Sequence, residues 1–211
     1  MFNYNENIKY LKKMNDLRRT IIPLMLLGNN EVGKTSIILN MMGNEFNYSQ
    51  LVTVGKQSYL YKANIKGYDL IIKIWDTAGQ ERFKSLSVQV IKDCDAVMLV
   101  YAVDDKKSFL DLNNWLTRIS NISDLSKKPI IIVGNKADII DKREVKYEEG
   151  KKFAEEKGHK FFETSAKTGE GIKEAFNELF DKLFYIYELE ITRKTINIGK
   201  DKKKQKSFCL K

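Results

Sequence analysis

Residues 20–35 read Thr20-Ile21-Ile22-Pro23-Leu24-Met25-Leu26-Leu27-Gly28-Asn29-Asn30-Glu31-Val32-Gly33-Lys34-Thr35, an apolar run that stops at a glycine and passes into the pattern G-x-x-x-x-G-K-[ST]. The apolar run predicts a buried strand, with Pro23 near its start, where a missing ladder hydrogen bond is tolerated. Lys34 to Met42 predicts a helix. In that setting, between strand and helix, the pattern has a mechanism. Gly28 and Gly33 let the backbone curl so that successive N–H groups, over Asn30, Glu31, Val32, Gly33, Lys34, Thr35 and Ser36, point at phosphate oxygens. The following helix aims its positive end at the same place. Lys34 would reach the β- and γ-phosphates, and the Thr35 hydroxyl would ligate Mg²⁺. The bland alternative, a glycine-bearing turn with a solvated lysine, requires the flanking strand and helix to be coincidence.

Outward from this point the chain alternates. Gln57 to Ile65 and Asp69 to Trp75 predict paired strands joined across Gly67, and continuous apolar runs at Ala96 to Val103 and Ile130 to Val133 predict buried strands. A shorter strand is expected at Lys160 to Phe162, and helix-period segments occupy Lys107 to Ser120, Tyr147 to Lys157 and Gly171 to Glu188. Strands alternating with helices give an α/β fold with a mainly parallel sheet covered on both faces. Ligands bind such sheets at the carboxyl ends of the strands.

Three further motifs fall at predicted strand ends. Asp76-Thr77-Ala78-Gly79-Gln80 follows Ile74-Trp75. A carboxylate at Asp76 can hold magnesium through water, the Gly79 N–H can sense a γ-phosphate, and Gln80 can orient an attacking water. Standing alone, Asp76 would read as a helix cap or turn residue. Asn135-Lys136-Ala137-Asp138 follows the strand ending at Gly134, and a carboxylate at Asp138 can accept hydrogen bonds from the N1–H and amino group of guanine, a donor pair adenine lacks. Glu163-Thr164-Ser165-Ala166-Lys167 follows the short strand, and its backbone N–H groups could bind guanine O6, with the small Ala166 allowing approach.

With these motifs in this order, the sequence resembles the small GTPases of the Ras superfamily, and within it the Rab branch. Ile74-Trp75-Asp76-Thr77-Ala78-Gly79-Gln80-Glu81-Arg82-Phe83 looks like the Rab switch II signature, and the resemblance runs from about Ile21 to Glu188. It implies a P-loop NTPase fold with a six-stranded, mostly parallel sheet, slow GTP hydrolysis and GTP/GDP cycling with Mg²⁺. It implies that Thr53 is the switch I threonine, ligating the metal beside Thr35 and Asp76 only when the γ-phosphate is present. Phe46 matches the aromatic residue that packs on guanine. Catalysis would rest on Gln80, Lys34 and Thr53, with no strong general base, so an activating protein would supply an arginine. An exchange factor, GTP-dependent effectors, a monomeric state and a cytoplasmic location peripheral to an endomembrane in vesicle trafficking are implied likewise.

The departures are informative. Asn30 and Glu31 stand where the family carries small residues, and an acidic side chain beside a polyphosphate repels it, so fast nucleotide release is expected. Ser58 and Val90-Ile91 replace aromatic residues, leaving Trp75 as the plainly kept part of the usual effector surface. These departures keep a nucleotide-binding adaptor with negligible hydrolysis in play as an alternative. A P-loop kinase for a small metabolite would leave Asn135 to Asp138 without a purpose.

The chain of 211 residues suits one domain, read as a G domain over 20–190 between a basic extension over 1–19 and a basic tail over 191–211. Residues 193–211 hold eight Lys/Arg and one Asp, and residues 1–19 hold five Lys/Arg and two acids, so of the net +9 the body carries about −1. Charge placed on the ends and not on the body argues against nucleic-acid binding and for a tether that meets anionic lipid. Cys209 lies third from the last residue, one short of a C-a-a-X box, and is the candidate for lipidation. The first residues show no apolar leader segment, and no apolar run approaches the ~18 residues of a membrane span. Two cysteines without metal spacing indicate no disulfide framework or zinc site. Cys94 reads as core filling and His159 as a loop residue. Phe176, Phe180, Phe184 and Tyr187 form the apolar face of a terminal helix.

Overall fold

Period-two alternation sends each strand's side chains to opposite faces, and here both faces are apolar. The computed structural model describes residues 21–47, 56–77, 91–124 and 128–186. Strands β1 (Ile21–Leu27), β2 (Lys56–Ile65), β3 (Tyr68–Thr77), β4 (Ala96–Ala102), β5 (Ile130–Asn135) and β6 (Lys160–Glu163) form one sheet in the order β2-β3-β1-β4-β5-β6. Only the β2–β3 pair is antiparallel. Its two-residue turn has positive φ at both Lys66 (52°) and Gly67 (87°), as a primed hairpin turn demands.

Leu24, Leu26, Ile72, Ile74, Met98, Val100, Ile131 and Val133 face one side. There they meet α1 (Lys34–Met41) and a terminal helix α5 over 172–186, through Ile37, Ile38, Phe176 and Phe180. The intervening residues Met25, Leu27, Val97, Leu99, Ile130 and Ile132 face the other side. These are covered by α2 (Lys106–Leu110), α3 (Leu112–Ile122) and α4 (Tyr147–Glu156). The α/β class with helices on both faces follows as read from the sequence.

Pro23 is accommodated by position. Its carbonyl accepts from Asp95 N–H at 2.7 Å, so its polar edge faces β4, whose pairing with β1 begins only at Leu24. The missing N–H therefore interrupts no ladder. One expectation needs correcting. The helix read over Lys107 to Ser120 is two helices meeting at Asp111. The break is slight, because Asp111 N–H still reaches the Lys107 carbonyl at 3.0 Å and Trp115 N–H reaches the Asp111 carbonyl at 3.1 Å. Only ψ opens, to −10°.

Cys94 is buried as expected, and its thiol, pushed up to about 11 mainly by burial, is inert filling. His159 lies in the loop before β6 with its pKa lowered by burial and by Lys182. Residues 1–19, Thr53, Ala78, Gly79, Gln80, Val90, Tyr187 and the tail with Cys209 lie outside the described residues. No described helix is long and apolar enough to cross a membrane.

Candidate nucleotide site

Strand order reverses at β1, with β3 on one side and β4 on the other, which leaves a crevice at the carboxyl end of the sheet. The loop after β1 enters it. Gly28 has φ 144°, and a Cβ there would lie 2.0 Å from the Val100 carbonyl of β4, so only glycine lets the loop leave the strand this close to its neighbour. Gly33 caps α1 at φ 90° and, having no side chain, makes no side-chain cap of its own. The start of a helix, with its partial positive charge, suits an anion.

Lys34 is 5% exposed. Its ammonium donates to the carbonyls of Gly28 at 3.0 Å and Asn29 at 2.6 Å. Burial lowers its pKa to about 8, against the opposing pull of Asp76. Thr35 Oγ1 donates to Asp76 Oδ2 at 2.6 Å, bringing a hydroxyl and a wholly buried carboxylate from α1 and β3 together. Hard oxygen donors of this kind fit Mg²⁺, which takes one or two protein ligands beside phosphate oxygens. The end of β3 is fixed by Thr77 Oγ1 donating to the Leu26 carbonyl at 2.9 Å.

The loops after β5 and β6 are tied to the first by Asn135. Its Nδ2 donates to the Val32 carbonyl at 2.8 Å, and its Oδ1 accepts from Thr164 Oγ1 at 3.1 Å and Ala166 N–H at 3.2 Å. A Cβ on Gly33 would sit 2.3 Å from the same Nδ2, so Gly33 is required a second time. Asp138 is oriented by Ser165 Oγ, which donates to its Oδ1 at 2.6 Å. Lys136, at φ 67°, reaches Asp104 at 3.1 Å.

Sequence-read residues from four segments thus converge. Asn30, Val32, Thr35 and Ser36 lie in the cradle and first helical turn, while Glu31 stands exposed on its rim at φ 61°. Lys167 is exposed in the loop after β6. Phe46 is half-buried against the core face shared by α1 and α5. Of the backbone N–H groups in the loop read as meeting guanine O6, that of Ala166 donates here to Asn135. Thr53, Gly79 and Gln80 are outside the described residues. Two partners escaped the sequence reading, Thr164 for Asn135 and Asp104 for Lys136, because nothing local to either residue signals its pairing.

Sequence similarity to known proteins gives the family. The Ras family model matches residues 23–185. Ras-related protein Rab-13 of Bos taurus is 36% identical over 159 residues, covering 75% of this chain and 78% of that protein. Ras-related protein Rab-4 of Dictyostelium discoideum is 36% identical over 156 residues, covering 74% and 76%. Ras-related protein Rab-27B of Homo sapiens is 33% identical over 171 residues, covering 76% and 78%. The reading as a non-hydrolysing adaptor gains no support from these relatives. The chain belongs to the Ras family and is a Rab-like small GTPase, an enzyme that hydrolyses GTP as a molecular switch.

Proposed function

We propose that this GTPase binds GTP and GDP with Mg²⁺ at the carboxyl edge of its sheet and acts as a switch in membrane trafficking. The observation that carries the reading is the Asn135 carboxamide, which joins a phosphate-type cradle to a base-reading loop. Asn30 to Ser36 supply N–H groups to the phosphates, and Lys34 offsets their charge from a buried position. Thr35, Asp76 and Thr53 hold Mg²⁺. When bound, that ion neutralises charge developing on the phosphate oxygens. Gln80 aligns water for in-line attack, and Thr53 and Gly79 lose their γ-phosphate contacts on hydrolysis, releasing two loops. Phe46, Lys136, Ser165, Ala166 and Lys167 shape the guanosine end, and Asp138 selects the base.

Partners follow from the switch: an exchange factor, an activating protein and effectors that read the GTP form, with nucleic acid excluded by charge placement. The protein acts as a monomer, cytoplasmic and peripheral on an endomembrane. Its basic tail and a lipid on Cys209 supply the two weak anchors that stable attachment needs.

Calorimetry with Mg²⁺ tests the site directly. GDP binds far more tightly than ADP, and Asp138→Asn weakens GDP at least about a hundredfold while leaving ADP unchanged, from the loss of two hydrogen bonds to a charged acceptor. Equal affinity for GDP and ADP in the unmodified protein refutes the reading. The Lys34 ammonium adds a pH signature. Bound polyphosphate stabilises the charged form, so above about pH 8, where the free protein has lost that proton, binding must take one up. GDP affinity is flat from pH 7 to 8 and falls towards about tenfold per pH unit above it; a flat profile to pH 9 excludes this role. Glu31→Ala removes both like-charge repulsion and a carboxylate at the cradle rim, and GDP release slows; an unchanged rate removes Glu31 from the account. Flotation with anionic liposomes after expression in a lipidating host checks the tail: Cys209→Ser stays in solution while the unmodified protein floats, and equal flotation rules the cysteine out.

A further inference from the structure

Asn29, the second residue of the cradle, makes contacts that no nucleotide role explains. Its Nδ2 donates to Asp111 Oδ2 at 2.7 Å, and its Oδ1 accepts from Trp115 Nε1 at 3.0 Å. A carboxylate only accepts and an indole N–H only donates, so one amide orientation satisfies both. Asp111 is the residue at which the helix opens between α2 and α3, and Asn114 Nδ2 donates to its other oxygen at 3.2 Å. Trp115 lies one turn further on, 8% exposed, in the core under α3. Arg118 sits 5.1 Å from the centre of its ring. The backbone carbonyl of this same Asn29 accepts the shorter of the two hydrogen bonds from Lys34.

We infer that Asp111 and Trp115 are positioning residues for the phosphate site: they bracket Asn29 from α3 so that its carbonyl holds the Lys34 ammonium in place. The inference rests on the cradle binding nucleotide, as proposed above. Lys34 is long and buried, and hydrogen-bond acceptors held at fixed positions offset the cost of burying its ammonium. Gly28 directly follows β1 and is packed against β4. Asn29 is one residue further into the cradle, and its position is set by the bracket. The bracket also couples the cradle to α3, so a change at either is felt at the other.

The test uses the full chain loaded with a fluorescent GDP analogue. Trp115→Phe keeps an aromatic ring in the core and removes the N–H. Release of the analogue becomes faster by on the order of tenfold, the factor that the loss of one such hydrogen bond carries. Affinity for GDP falls by a similar factor while affinity for guanosine, which has no phosphate, is unchanged. A purely structural tryptophan would alter thermal stability and weaken both ligands alike. Asn29→Ala gives the same two changes, and combining it with Trp115→Phe adds little, since both cut one linkage. If Trp115→Phe does not fold, Asp111→Ala cuts the other end and carries the same expectation. Unchanged release and GDP affinity in Trp115→Phe or Asp111→Ala, in a protein whose unmodified form binds GDP, overturn the inference alone. Failure of the unmodified form to bind GDP overturns the nucleotide reading beneath it.

Discussion

The carboxamide of Asn135 is the constraint on which the site depends. It is 1% exposed, and its three hydrogen bonds go to the loops after β1 and β6. A buried amide that lost those partners would carry a desolvation cost of about 1–3 kcal/mol for each unmet group. The three loops are therefore stable in one mutual arrangement. Gly33 is part of the same constraint, since a side chain there would displace the amide. The sheet supplies the platform and Asn135 registers the loop after β1 against the loop after β6.

Charge in the site follows from burial. Lys34 and Asp76 are both almost wholly removed from water, and Asp76 favours the ionised form of Lys34. Burial lowers the lysine's pKa to about 8, so the pull of Asp76 offsets desolvation only in part. A polyphosphate would complete the balance, and in a low-dielectric pocket its attraction for the ammonium is larger than at a surface. Glu31 works in the opposite direction. It places a carboxylate on the rim, at a φ of 61° that non-glycine residues adopt at a cost.

The fold was legible because its signals are local. Continuous apolar runs in β1, β4 and β5 and the glycine punctuation of the cradle each announce themselves within ten residues, and the structure realises them at close to the expected bounds. Pro23 was readable because its penalty depends only on where the neighbouring strand begins. The helix over 107–120 was read as continuous because its apolar spacing is continuous. Its opening at Asp111 shows in ψ at that residue, which the apolar spacing does not encode. The pairing of Asp104 with Lys136 was illegible for a related reason. Both are ordinary charged loop residues until β4 and β5 are laid side by side.

The choice of asparagine at position 29 shows how narrow a requirement can be set by such distant contacts. Its neighbours are a group that can only donate, Trp115 Nε1, and a group that can only accept, Asp111. An aspartate at this position would satisfy the indole but set two carboxylates against each other, whereas an alanine would leave both partners unmet. A glutamine has the right groups one methylene further out, in a crevice where both partners are fixed by α3. Of these four residues only asparagine bridges the two, and because its own carbonyl receives Lys34, the demand made by a helix on the outer face reaches the loop after β1. The geometry of that loop therefore depends in part on contacts outside it, to Asp111 and Trp115.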